Sequence, residues 1–344
     1  MEITPVPKAR KKPVWYWFVT AALAIVLLAL ALRGVSWAEM SETARHSRPD
    51  LLVLVFCLTT INLFFRGIRW GILLSGEKRL QPLTMFFATA DGYLGNALLP
   101  ARAGELIRSA IVGIKTGIGT SFVFATALTE RIVDAVVLVL VGLIFLPGLS
   151  GFPDWVPTAL RVMAVVGFVG LLVLIMLPFI ESFIRRVFYA LPFPENWKGK
   201  LAEILSRFVL GTRAFVNPIR AAGFLSLTPI IWLLDGFITM ELAKAMSLSL
   251  TLPQALLLMV GLGLASALPS TPGYVGIYQF VATTILPVFG LTKSEALTFI
   301  LFFQGLGILV FLILGLISLP VLNIKPSELR LSEENHSVKA DDVG

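Results

Sequence analysis

Long apolar runs separated by short polar connections organise this chain, and two of the runs are interrupted. Six runs reach the ~20 residues that cross a bilayer core: Val14 to Leu32, Leu51 to Leu74, Ser121 to Leu146, Ala159 to Ile180, Ala221 to Ala243 and Ala296 to Leu319. Two further stretches, Thr84 to Ile118 and Pro253 to Gly290, break near the middle at Leu-Pro-x-x-x-Gly. Proline removes a backbone donor and clashes with the preceding turn, and glycine costs backbone entropy, so a straight helix does not pass through either break. In hydrocarbon such a break is tolerated only where protein or a water-filled cavity satisfies the freed groups. Each stretch is therefore predicted to re-enter as a helical hairpin beside a polar site.

The expected fold is an all-α polytopic membrane protein with about six transmembrane helices plus two re-entrant helical hairpins arranged as an inverted repeat. Leu99 and Leu268, which open the two breaks, lie 169 residues apart. Three runs fall between them, and an odd number of crossings turns the second half upside down. Residues 1–13 form a basic tail, 14–320 the transmembrane domain with halves at about 14–146 and 159–320, and 321–344 a polar tail. The same Leu-Pro-x-x-x-Gly string recurs from Leu146 to Gly151, in a predicted outer loop. The apolar flanks, not the string, define the hairpins.

Composition agrees. Hydrophobic residues make up 57% of the chain and charged ones 14%, against about a quarter charged in soluble domains. The net charge of +7 follows loop position, as the positive-inside rule requires, and nucleic acid is not an expected partner. Lys8, Arg10, Lys11 and Lys12 precede the first run, read as a retained anchor. The count places Arg66, Arg69, Lys78, Arg79 and the basic residues from Arg185 to Arg220 toward the cytoplasm. Arg33, Arg45, Arg48, Arg161, Lys244 and Lys293 fall outside, and Arg131 lies within the membrane. Both termini are then cytoplasmic, in a bacterial-type inner (plasma) membrane. Phe183 to Val216 mixes apolar and basic residues, as an interfacial amphipathic helix or a solvated connector would. A lone Cys57 allows no internal disulfide, and His46 and His336 lie outside the runs, so neither metal site nor cofactor is expected.

Charge inside the runs is concentrated. Glu130, Arg131 and Asp134 open the third run, with Glu130 and Asp134 on one helix face and Arg131 within reach of Asp134. Ionisable groups at membrane depth mark sites or structural ion pairs. In the first break Arg102 lies between Pro100 and Gly104, and Gly104 opens a half-helix whose first turns hold Glu105 and Arg108. A half-helix N-terminus plus an arginine fork is an anion site suited to a phosphate headgroup. The same residues can instead pair with Glu130 and Asp134 and lock the hairpin to the third span. The second break, with Ser270, Thr271, Tyr274 and Tyr278 around Pro269, Pro272, Gly273 and Gly276, has no charge. Its tyrosines share a face and suit either a headgroup path or an interfacial aromatic belt. Asp235, near Trp232, matches Arg66 at the 169-residue offset, which points to a partner among the central arginines.

At these residues the chain resembles the transmembrane region of lysylphosphatidylglycerol synthases, a family of flippase-like membrane proteins. The likeness rests on Asn96-x-Leu-Leu-Pro100-x-Arg102-x-Gly104-Glu105-x-x-Arg108, on Glu130-Arg131-x-x-Asp134, and on Pro269-x-x-Pro272-Gly273-x-x-Gly276, and runs from about Val14 to Pro320. Gln279 stands where the family's third motif tends to continue into glutamate. The resemblance implies movement of a lipid headgroup between leaflets. The family's aminoacyl transfer belongs to a soluble C-terminal domain, and no lysyl transfer is expected here.

The expected function is a lipid flippase-like transporter for an anionic or lipid-linked phosphate headgroup, passive or ion-coupled. Arg102, Arg108 and Arg131 would hold the headgroup, and Glu130 and Asp134 would orient the arginines or carry a proton. No phosphate-binding Gly-x-x-x-x-Gly-Lys loop supports direct ATP use. The alternatives are a non-transporting partner of a lipid-synthesis complex and an intramembrane enzyme using Asp134 and Asp235 as a dyad. The enzyme lacks a nucleophile with a base, and the chain is read as no enzyme. A membrane phospholipid or lipid-linked phosphate is the expected partner, and a homo-oligomer is admitted.

Overall fold

The computed structural model describes residues 14–99, 103–146, 151–190, 209, 211, 217–266 and 271–322. Among the described residues the chain is all helical, with no strand. Helix α1 (Val14–Leu32) bends by 84° into a short helix, α2 (Trp37–Arg45). There follow α3 (Pro49–Leu74), α4 (Pro82–Leu98), α5 (Gly104–Thr116), α6 (Thr120–Phe145), α7 (Trp155–Ala190) and α8 (Pro218–Ala245). Then come α9 (Leu252–Ser266), a 3₁₀ turn (Pro272–Tyr274), α10 (Ile277–Ile285), a second 3₁₀ turn (Leu286–Phe289) and α11 (Lys293–Leu322).

The predicted runs all fall on helices, with bounds moved by local chemistry. Both α3 and α8 open on a proline, at Pro49 and Pro218, where the missing donor is one the first turn does not use. Helix α2, which the apolar pattern missed, is amphipathic and carries a Ser-x-x-Glu start: the Ser36 hydroxyl accepts from the Glu39 amide at 3.3 Å. It packs against α11. Helix α7 continues past Ile180 through Phe183 to Ala190; the rest of the proposed interfacial segment, from 191 to 216, lies outside the described residues except for 209 and 211. Pro100, Arg102, Pro269, Ser270 and most of the two tails also lie outside them.

Four helices are long and apolar enough to cross a membrane (Pro49–Leu74, Trp155–Val173, Pro218–Ala245, Lys293–Leu322), or five counting the bent α1–α2 pair as one span. Helix α6 matches α3 in length but carries three ionisable side chains, and it is not among them. Apolar side chains also cover the outside: on α7, Val162, Val165, Val166, Phe168 and Val169 are at least half exposed, the reverse of a soluble surface.

Both broken stretches are helical hairpins. Helices α4 and α5 run antiparallel at glycine contact distance, with Gly95 facing Gly104 and Gly92 facing Arg108. A Cβ on Gly104 would drive into the carbonyl oxygen of Gly92 and come within 2.7 Å of both the backbone nitrogen and Oδ1 of Asn96. The second hairpin packs α9 on α10. Its break turns on Gly273 (φ 62°) and Gly276 (φ 88°), and a Cβ on Gly276 would also collide with the backbone of Ala24 in α1.

Two apolar cores flank the hairpins. One gathers Trp70, Leu73, Met85, Phe87 and Val112 around the first; the other gathers Leu242, Leu258, Ala282, Ile285 and Phe299 around the second. Where they adjoin, the helices carry charge.

Candidate functional site

The charged centre is built from α3, α5, α6 and α8. On α3, Asn62, Arg66 and Arg69 follow one helical stripe, and the stripe faces inward: Asn62 is 3% exposed, Arg66 9% and Arg69 0%. The charge bias places both arginines toward the cytoplasm, and the structure buries them among carboxylate partners. Arg69 makes a bidentate pair with Asp134, Nη1 to Oδ1 at 2.7 Å and Nη2 to Oδ2 at 3.0 Å, and Nη2 also donates to Glu130 Oε1 at 2.7 Å. A ring face of Phe224 lies 5.2 Å from its guanidinium carbon.

Helix α5 is tied to α6 by a second set of pairs. Arg108 Nη1 lies 3.0 Å from Glu130 Oε2 and Nη2 lies 2.5 Å from Glu105 Oε2, with the guanidinium over the Trp70 ring at 4.4 Å. Arg131 donates to Glu105 Oε1 through Nε at 2.9 Å and Nη2 at 2.7 Å, and its Nη1 lies 3.8 Å from Asp134. The locking of the hairpin onto α6 is thus present. Glu130 and Arg108 are each 2% exposed and stand behind the pairs that face the interior space.

Across the centre, Arg66 is paired with Asp235 of α8, and Asn62 donates to the other carboxylate oxygen. Trp232 Nε1 donates to Asp134 at 3.3 Å, so α8 touches both acid clusters. The offset that matched Asp235 to Arg66 thus names a bonded pair. Among the described residues of this centre four guanidiniums (Arg66, Arg69, Arg108, Arg131) meet four carboxylates (Glu105, Glu130, Asp134, Asp235). Buried charges cost several kcal/mol each to desolvate, and only such mutual pairing makes the cluster tolerable.

A cavity of about 340 Å³ opens beside this network. Its polar part holds Asn62, Arg66, Tyr93, Asn96, Glu105, Arg131, Asp134, Trp232, Asp235, Tyr274, Tyr278 and Gln304; elsewhere it is lined by Leu63, Leu138, Leu242, Met259, Phe303 and Phe311, among others. The structure thus brings Asn96, Glu105, Arg131, Asp134, Gly273, Tyr274 and Tyr278 to one space. Arg108, Glu130 and Thr271 are not part of its lining. Thr271 instead closes the second break, its hydroxyl donating to the Val275 carbonyl at 2.7 Å.

The two breaks converge here. Gly273 and Ala97 both line the cavity, and a Cβ on Gly273 would lie 3.2 Å from the Ala97 carbonyl. Tyr274 and Tyr278 stack with ring centroids 4.7 Å apart and an interplanar angle of 9°. Each half-helix start is closed by an amide: Asn96 Oδ1 accepts from the Gly104 nitrogen at 3.0 Å, and Gln279 Oε1 from the Gly276 nitrogen at 2.7 Å. Gln279 also donates to Gln304, which donates to the Gly273 carbonyl at 2.7 Å. A glutamine at 279 therefore serves the backbone of the second break. At the first break the amide donor counted toward an anion is already engaged by Asn96.

The Arg66–Asp235 pair is only partly buried, its side chains 11% and 20% exposed, so its worth is discounted for screening. Asp235→Asn and Arg66→Gln are expected to show a coupling of about 1–2 kcal/mol in a double-mutant cycle of unfolding in detergent. Effects additive to within ~0.5 kcal/mol would show that the pair does not couple α3 to α8.

Comparison with known proteins follows this architecture. Residues 17–315 match the family described as the lysylphosphatidylglycerol synthase TM region. The chain is 26% identical to Glycosyltransferase AglD of Haloferax volcanii over 78% of its own length, and spans about half (48%) of that relative. It is 24% identical to UPF0104 membrane protein MJ1078 of Methanocaldococcus jannaschii, over 64% of this chain and 91% of the relative. No solved structure matches it. With the matched region covering α1 through most of α11, the chain is a multi-pass membrane protein that belongs to the lysylphosphatidylglycerol synthase transmembrane-region family.

Proposed function

We propose that the protein moves a lipid with a phosphate-bearing headgroup between membrane leaflets, passively or coupled to an ion. The observation that carries this reading is the cavity itself: charged and amide groups and apolar side chains line one space, and the two broken helices meet at it. A headgroup is expensive to strip of water in hydrocarbon, and a wall of charge-assisted donors lowers that barrier while the apolar lining accepts the chains. Arg131, 26% exposed at its side chain, and Arg66 supply donors, and Arg102 of the first break is a third candidate. Glu105, Asp134 and Asp235 hold the lining arginines between passages.

The topology behind this reading is six spans with two re-entrant hairpins in inverted halves, both termini cytoplasmic, in the plasma membrane. The helix order supports it. Shifted by the 169 residues that separate Arg66 from Asp235, α3 falls on α8, α4 on α9, α5 on α10 and α6 on α11. Packing follows the same exchange: α4 rests on α11 as α9 rests on α6, and α3 rests on α8 between them. A pair of interrupted helices at corresponding places in two halves is the arrangement in which transporters site their substrate.

An enzyme is the second reading, favoured by the glycosyltransferase name of the Haloferax relative. The carboxylates speak for transport instead: Asp134 is paired with Arg69 and Asp235 with Arg66, each carboxylate bonded to a guanidinium, whereas a dyad joins one carboxyl to the other through a shared proton.

The test is leaflet exchange in proteoliposomes with fluorescent anionic and zwitterionic lipids. Wild type is expected to accelerate exchange of a phosphate-bearing lipid, Arg131→Ala to slow it about tenfold, the cost of one charge-assisted hydrogen bond, and Arg131→Lys to keep part of the rate. No acceleration for any lipid class sinks the proposal, and lipid turnover replaces it with the enzyme reading.

A further inference from the structure

We propose that the polar part of the cavity recognises a sugar: the lipid it takes carries a glycosyl group on its phosphate, in preference to a bare phosphate headgroup. The movement of that lipid rests on the transport reading above; its recognition does not.

Charge balance is the first reason. Arg66 and Arg131, the guanidiniums lining the cavity among the described residues, are each already bonded to carboxylates, Asp235 and Glu105. A bare phosphate must compete with those carboxylates, and three acids of the lining repel it. A phosphodiester under a sugar carries less charge into the same place.

The second reason is an acceptor with nothing to accept. Asn62 lines the cavity and its Nδ2 donates to Asp235, which fixes the amide; its Oδ1 is buried and has no donor. Leaving such an atom unmet costs about 1–3 kcal/mol. A ligand that satisfies it brings an O–H or N–H. A fully ionised phosphate has neither, a hexose has several hydroxyls, and the carboxylates and Asn96 nearby supply further acceptors. An ammonium headgroup also brings N–H, but Glu105, Asp134 and Asp235 already have guanidinium partners, so it meets no unmatched anion among them.

Ring faces are the third. Tyr93, Trp232, Tyr274 and Tyr278 all line this part, each pairing an apolar face with a polar tip. Arg66 lies over the Tyr93 and Trp232 rings at 5.8 and 5.5 Å and Tyr274 stacks on Tyr278, so a sugar would meet these rings at their edges and outer sides. Such apolar surface beside fixed amides and carboxylates suits a pyranose, whose C–H faces are apolar and whose rim is hydroxyl. Specific small-ligand sites combine these elements, an apolar and aromatic lining with a few placed polar groups.

The test is equilibrium binding to the purified full chain in detergent, followed by tryptophan fluorescence. The probes are a short-chain polyprenyl phosphate bearing one hexose, the same lipid without the sugar, and phosphatidylethanolamine. The hexosyl lipid is expected to bind roughly tenfold more tightly than either other probe. Asn62→Leu is expected to bring that preference to about twofold, and Tyr278→Leu to weaken the hexosyl lipid selectively. On wild type, soluble hexose 1-phosphate is expected to displace the hexosyl lipid where inorganic phosphate does not, a readout that needs no variant to fold. Equal binding of hexosyl and bare lipids, or binding of phosphatidylethanolamine as tight as either, overturns the proposal. Leaflet exchange of the same lipids separates the two readings. Exchange without sugar preference overturns sugar recognition alone, and preferred binding without exchange overturns transport alone.

Discussion

Arg69→Met is expected to destabilise the protein by about 3–5 kcal/mol, the cost of stripping its partner from a buried ion pair. Arg69 is fully buried and holds Glu130 with one donor and Asp134 with two, so its loss leaves two carboxylates inside the protein with reduced compensation. Arg108 still reaches Glu130 and Arg131 lies 3.8 Å from Asp134, contacts too few to replace three short bonds. The loss is read as a fall of order 10 °C in the melting temperature of the detergent-solubilised protein. The control is the triple variant Arg69→Met, Glu130→Gln, Asp134→Asn. If uncompensated charge is the cost, neutralising the acids recovers part of the stability. A triple variant no more stable than the single one would mean that Arg69 acts through packing, against Phe224 and its neighbours, rather than through charge.

Gly104→Ala is expected to be comparably damaging for a steric reason. The added methyl collides with the carbonyl of Gly92 and the backbone of Asn96, atoms of a helix that cannot rotate away as a side chain would. Helices α4 and α5 must separate, and overpacking of this kind costs about 1–3 kcal/mol, more where backbone has to move. Separation also pulls Glu105 and Arg108 from Arg131 and Glu130, which α5 carries into the network. The signature is combined loss of thermal stability and of leaflet exchange. Gly117→Ala is the comparison, since the space around Gly117 is open and only its positive φ of 73° resists a side chain. If both substitutions cost the same, the close hairpin contact is not the cause.

Much of this architecture is legible in the sequence because the bilayer imposes it. Apolar length marks the helices, and Pro-x-x-x-Gly inside an apolar stretch marks a hairpin: α5 begins at Gly104, and the second break turns on Gly273 and Gly276. Glu130 and Asp134 stand out because charge at depth needs a reason. Arg66 and Arg69 do not, because a rule that counts basic residues near run ends assigns them to the interface. The missed signal is periodicity. Asn62, Arg66 and Arg69 sit at i, i+4 and i+7, one polar stripe on an apolar helix, and that stripe points at partners. Arg108 shows the opposite limit: its spacing marks it as important, but only tertiary packing puts it behind the cavity, over Trp70, rather than in it. The Asn96 and Gln279 caps depend on backbone geometry at the two breaks and leave no pattern in composition.

In the inverted repeat proposed above, the bond between Arg66 and Asp235 joins corresponding places, since α3 and α8 both begin on proline 169 residues apart. Had the halves been identical, this meeting would set guanidinium against guanidinium, or carboxylate against carboxylate, a repulsion that partial screening weakens but does not remove. Opposite signs make each half an incomplete object that accepts only the unlike one. On that reading the side chains of this pair have given up whatever symmetry the backbone keeps, and two separately expressed halves are expected to associate as a matched couple rather than as twins.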